Sequence, residues 1–102
     1  MSFSLQGRRC TGAEVVNFSA SGIGAWLDER YAALFEPGAR LREVVFHEEG
    51  LHPPAPDIRI VFSTLAGQSA RPGFMMFGGE FISPGPEFLD SLASFLAALP
   101  RE

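Results

Sequence analysis

The stretch "AEVVNFSASGIGAWL", residues 13–27, joins two apolar runs through a short polar corner. The first run is rich in β-branched residues, which favour a pleated strand. The second, "IGAWL", also reads as a strand. "SASG" between them is turn chemistry: small polar side chains bond their own backbone, and glycine relaxes the steric limits of a tight bend. Two strands joined this closely must run antiparallel. The corner admits two readings. It is a turn in either case. It is also a binding corner if Asn17, which can donate and accept, and the hydroxyls of Ser19 and Ser21 face a ligand, with Gly22 permitting positive φ or close approach of that ligand to the backbone.

The same logic extends along the chain. Phe3 and Leu5 alternate with Ser2, Ser4 and Gln6, the period of a first strand. "QGRRCTG" reads as its glycine-flanked end. "DERYAALFEPG" reads as a short helical turn, with Asp28 as cap and Pro37-Gly38 as stop. "ARLREVVFHEE" sets Leu41 and Glu43 against Arg40 and Arg42, with Val44 and Phe46 continuing the apolar face; it reads as a strand, with a helix as the alternative its charge content leaves open. "GLHPPAPD" is an irregular link, because three prolines do not fit inside a regular element. "IRIVFSTL" sets Ile58, Ile60 and Phe62 against Arg59, Val61 and Ser63. "AGQSARPG" reads as a loop. "FMMFGGEFI" is an apolar strand whose Gly78-Gly79 pair suggests a bulge or bend. Met75 and Met76 point to opposite faces. Core filling is the first expectation for them and for Trp26, an adaptable contact surface the second.

"SPGPEFLDSLASFLAALP" is a helix starting near Pro86 and ending at Pro100. Phe88, Leu92, Phe95, Leu96 and Leu99 share one face at spacings of three and four, the stripe expected to pack on the sheet. Strands first, helix last, and no crossover helices give one mainly β domain over residues 1–102: an antiparallel, about six-stranded, closed or nearly closed β-barrel with one C-terminal α-helix.

Composition narrows the function. The chain has 102 residues, 46% hydrophobic and 20% charged, with net charge −4. That suits a single globular domain. An acidic balance argues against DNA or RNA as a partner. All basic residues are arginine. Genomic composition accounts for that choice, yet any bound anion must then be held by Arg, His or backbone amides. Cys10 is the only cysteine, so no internal disulfide forms and a cytoplasmic location is expected. No apolar run approaches the ~20 residues of a membrane helix, and "MSFSLQGRR" lacks the apolar core of a secretory signal.

Enzyme readings find little to stand on. His47 and His52 in "HEEGLH" are five apart rather than the four a zinc-protease helix needs, and Gly50 interrupts them. "FSASG" lacks the first glycine of a nucleophile elbow. "GIG" at 22–24 is too short for a dinucleotide fingerprint. No cysteine–histidine pairing suggests thiol catalysis, and Glu48-Glu49 reads as a solvated strand end. No enzyme activity, metal or cofactor is expected.

The corner and its surroundings resemble a family. "VVNFSASGIGAWL" is similar to the Asp/Asn-x-Ser-x-x-Gly signature of PilZ domains, with Asn17, Ser19 and Gly22 at its three fixed positions. "LFEPGARLREVVF" resembles that family's Pro-Gly turn and following strand, and residues 73–99 its last strand and C-terminal helix. The resemblance covers nearly the whole chain. It implies a barrel and a possible ligand, the bacterial messenger cyclic di-GMP, with Asn17 on a guanine edge, Ser19 on base or phosphate, and Gly22 leaving room. Ligand-binding members also carry Arg-x-x-x-Arg upstream of the first strand, where planar guanidiniums clamp phosphates and stack on guanine. This chain has none. Arg8 and Arg9 are adjacent, and Gly12 and Ala13 lie four beyond them. Neighbours on a strand face opposite ways. The resemblance thus implies a module of the cyclic di-GMP response, in motility, attachment or exopolysaccharide control, with weak or absent ligand binding and a protein partner. The alternative is a genuine receptor using Asn17, Ser19 and Gly22 with a nonstandard clamp drawn from Arg8, Arg9, Arg59 or Arg71.

Overall fold

Gln6 and Gly7 both take left-handed backbone, with φ of 50° and 78°. Two such residues in succession make the hairpin turn whose twist matches the flanking strands. They join β1 (Ser2–Leu5) to β2 (Arg8–Cys10), paired with Phe3 opposite Cys10 and Leu5 opposite Arg8. The segment read from sequence as a strand end is therefore itself a strand, and the sheet has seven strands rather than about six. A strand of three residues, two of them arginine, is too short to show a period.

The structure is a computed structural model that describes residues 1–51, 54–64 and 70–99. The chain continues through β3 (Glu14–Phe18), β4 (Gly22–Asp28), a 3-10 helix (Glu29–Leu34), β5 (Arg40–Val45), β6 (Asp57–Ser63), β7 (Phe74–Ile82) and α1 (Pro86–Ala98). Asp28 caps the 3-10 helix by accepting from the Arg30 backbone N–H, and Pro86 opens α1, both as the sequence indicates. The expected end of the helix at Pro100, residues 66–69 of the loop and Leu65 at the end of the strand before it lie outside the described residues, as does His52. The strands form one antiparallel sheet in the order β2-β1-β5-β6-β7-β4-β3, curled into a half-barrel.

Three irregularities shape this sheet. In β5, Ser2 pairs with Val45 and Ser4 with Arg42, so three steps on β5 oppose two on β1. Glu43 absorbs the excess with φ of 50°. That explains why Leu41 and Val44, three apart, both face the core. Arg9 secures this bulge by donating to the Glu43 carbonyl at 2.8 Å and to Ser2 Oγ at 3.1 Å. A left-handed side-chain-bearing residue costs about 1–2 kcal/mol. Glu43→Gly is therefore expected to stabilise the protein by roughly 1 kcal/mol, read as a higher urea midpoint with unchanged slope. The second bulge inserts Val16 in β3 between the pairs Val15–Ala25 and Asn17–Gly24.

The third inserts Val61 in β6, between the pairs Ile60–Gly79 and Phe62–Gly78. It corrects the expected alternation. Ile58 and Ile60 are buried, but the extra residue turns both Val61 and Phe62 outward, 54% and 50% exposed. The Gly78-Gly79 pair does not break β7, which runs unbroken; the irregularity lies across from it on β6.

The core has two layers. Inside the half-barrel, Phe77 lies 4.8 Å from Phe35 and 6.4 Å from Phe3 between ring centroids, surrounded by Leu5, Leu27, Leu41, Ile58, Ile60 and Met75. At one end a second set of rings carries α1. Phe88 packs on Phe46 and Phe81, and Phe95 on Phe18. Phe88 and Leu92 are buried as the stripe predicts, whereas Leu99 falls beyond the last helical residue and is exposed. Met75 is core and Met76 is only half-buried; Trp26, expected in the core, is half-buried on the outer face.

Candidate functional site

β4 alternates Ile23, Ala25 and Leu27 inward with Gly22, Gly24 and Trp26 outward, as their burial and pairing require. The cross-strand register then fixes the outer face. Gly24 stands between Asn17 on β3 and Gly78 on β7, and Gly78 stands beside Phe62 on β6. One row across four strands thus reads Phe62, Gly78, Gly24, Asn17. The two walls carry side chains and the floor between them carries none. Gly22 and Glu80 pair on one flank of this row, Trp26 and Met76 on the other. The result is a concavity of about 360 Å³ lined by Asn17, Ser19, Ser21, Gly22 and Glu80 at one end and by Val61, Phe62 and Met76 at the other.

The corner is tightly tied. The Ser19 N–H donates to the Gly22 carbonyl at 2.9 Å. Ser19 Oγ accepts from the Gly22 and Ser21 backbone N–H groups at 3.2 and 3.3 Å and lies 3.3 Å from Ser21 Oγ. The Phe81 N–H donates to the Ser21 carbonyl, so β7 holds the corner in place. This is the local bonding that serine supplies to turns. Asn17 differs: it is exposed, and its amide has no hydrogen-bond partner among the described residues.

Gly22 is needed for close approach, but of the protein itself. Its φ is not left-handed, and a Cβ built there would lie 1.9 Å from the Gly79 carbonyl oxygen. Backbone packing between β4 and β7 therefore accounts for this glycine.

The charges are placed less favourably for an anion. Among the described residues, Glu80 is the one charged residue lining the concavity. Arg59 binds it, donating from Nε at 2.6 Å and also from Nη2 to the same oxygen, Oε1. Arg8 and Arg9 stand on β2, at the opposite end of the sheet order from β3, and neither lines this concavity. Arg9 is spent on the β5 bulge. Arg71 bonds Glu14 at 2.8 Å and lies 3.9 Å over the Phe74 ring. The structure thus brings together Asn17, Ser19 and Gly22, but not Arg8 and Arg9. Phe62, Gly24, Gly78 and Glu80 were missed as lining residues. The outward phase of Gly24 with Gly22 was readable in "GIGAWL", but their partners on β6 and β7 were not.

Cys10 is fully buried, and burial pushes its thiol above the ordinary value, with the Arg8 and Arg9 charges partly opposing. A buried neutral thiol is a poor nucleophile. Among the described residues no cluster of His, Cys, Asp or Glu could hold a metal ion, and no helix is long and apolar enough to cross a membrane. No family model, no curated protein and no solved structure matches this chain.

Proposed function

We propose that this chain is a PilZ-like module of the cyclic di-GMP response that binds the dinucleotide weakly or not at all and acts through contact with another protein. The observation that carries this reading is the electrostatics of the concavity beside Asn17. Its only charged lining residue among the described residues is a carboxylate, already bound by Arg59. A cyclic dinucleotide brings two phosphate charges. Without an arginine clamp it forgoes charge-assisted contacts worth about 1.5–3 kcal/mol each, which takes a micromolar site to roughly millimolar. Contact with a protein has better support on the same face, where Val61 and Phe62 are exposed beside the glycine floor.

The position of Arg59 at the rim supports a second reading, in which it leaves Glu80 to clamp a phosphate. Calorimetric titration with cyclic di-GMP at low salt separates the two. The adaptor reading expects no saturable heat at high micromolar ligand from the wild type. Glu80→Gln, which removes the competing carboxylate and releases Arg59, should then strengthen any residual binding by roughly tenfold. Micromolar binding by the wild type, lost in both Asn17→Ala and Arg59→Ala, would overturn the adaptor reading and make the chain a receptor.

A further inference from the structure

A different cavity, of about 510 Å³, opens where the start of β2 meets the 3-10 helix; Arg8, Arg30, Tyr31, Ala33 and Leu34 line it. The Arg8 side chain has no hydrogen bond or ion pair among the described residues. Arg30 is held over the Tyr31 ring, 4.9 Å from its centroid, and its Nε lies 3.7 Å from Asp28 Oδ2. Two guanidiniums therefore flank a space whose other walls are one aromatic ring and two aliphatic side chains. Among the described residues no carboxylate lines it. That sets it apart from the concavity at Asn17, which contains Glu80, and from the cavity beside α1, which is lined by Glu49, Glu87 and Asp90. In a chain of net charge −4 this is a local reversal of sign.

We propose that this cavity binds a phosphate monoester carried on a short aromatic or apolar stem. The chemistry follows from the lining. A phosphate monoester has a charge of about −1.5 to −2 at neutral pH and three acceptor oxygens, and guanidinium forks match those oxygens in planar, paired hydrogen bonds. Tyr31, Ala33 and Leu34 offer the stem an apolar wall. Arg8 thus has a role with Arg30 that is separate from that of its sequence neighbour Arg9, which is committed to the Glu43 carbonyl. The site shares no residue with the Asn17 concavity, so the proposal stands apart from the reading given above.

The test is a titration of the full chain with phenyl phosphate at low ionic strength, followed by NMR of backbone amides and arginine Nε–H groups. Saturable shifts are expected at Arg8, Arg30, Tyr31 and Ala33, with the signals of residues 17–22 unmoved. Arg8→Gln and Arg30→Gln should each raise Kd about tenfold or more, and added salt should weaken binding. Both arginines are exposed, so the variants should keep the wild-type amide pattern elsewhere; Arg8→Lys, which keeps the charge but loses the fork, should fall between wild type and Arg8→Gln. A phosphotyrosine peptide and a nucleoside monophosphate, titrated in parallel, identify the source of the ester by which one binds more tightly. Failure to saturate at tens of millimolar phenyl phosphate, or shifts confined to other residues, would overturn the proposal. An unchanged Kd in both glutamine variants would do the same.

Discussion

Gly22→Ala is expected to cost the protein about 3 kcal/mol or more, in the upper range for overpacking a well-filled interior. The new methyl group would meet the Gly79 carbonyl oxygen at 1.9 Å and the Glu80 Cα at 3.0 Å. Both obstacles are backbone, and both belong to a strand paired on its two sides, so β4 and β7 must part to make room. Gly24→Ala supplies the control. Its nearest obstacle is the flexible end of Met76, at 3.1 Å, which can move aside. Gly78→Ala lies between them, since the Phe62 ring in its way is half-exposed and free to swing outward. Urea denaturation should place the midpoints in the order Gly24→Ala, Gly78→Ala, Gly22→Ala, from mildest to most severe. Equal midpoints for Gly22→Ala and Gly24→Ala would show that close backbone approach does not fix Gly22. The result also bears on function: lost binding in a Gly22 variant is no proof that a ligand touches this residue.

Phe77→Ala is expected to be the most damaging core truncation, at about 3–5 kcal/mol. Phe77 is fully buried and its ring meets both Phe35 and Phe3, so the change removes buried area, leaves a cavity and breaks two ring contacts at once. Against a total stability of about 5–15 kcal/mol, much of the margin disappears. Thermal melting should fall by something on the order of 20 °C for a chain of this size. Phe62→Ala, the same chemical change on the outer face, should move the melting temperature by only a few degrees. Similar falls for the two would place Phe62 in the core and overturn its outward turn at the β6 bulge.

The contrast between Phe77 and Phe62 marks the limit of what the sequence discloses. Alternation identified β1 and β6 as strands, apolar runs identified β4 and β7, and the spacing from Phe88 to Leu96 identified α1. Alternation fails where a residue is inserted. Val61 adds one position to β6, and every outward or inward assignment after it reverses, which is why Phe62 reads as core and is not. In β5 the slip left a trace, since Leu41 and Val44 are three apart, but only the positive φ of Glu43 explains it. The corner at 17–22 was legible as a turn because its bonds are local. The concavity was not, because Phe62, Gly78 and Glu80 reach it through long-range pairing. Adjacency on a strand already set Arg8 and Arg9 on opposite faces, and the fold gives them separate surroundings.

The pairing of β4 with β7 also sets an order in time. β3 and β4 can close their hairpin within microseconds of emerging, but the strand that completes their other side is encoded about 50 residues later, a delay of roughly 2–10 s during synthesis. Through that interval the inward row Ile23, Ala25 and Leu27 has no β7 to cover it and β4 is an open edge. The nascent chain thus passes through a window in which the β3–β4 hairpin is unguarded, and the glycine-floored concavity comes into being only when that window shuts.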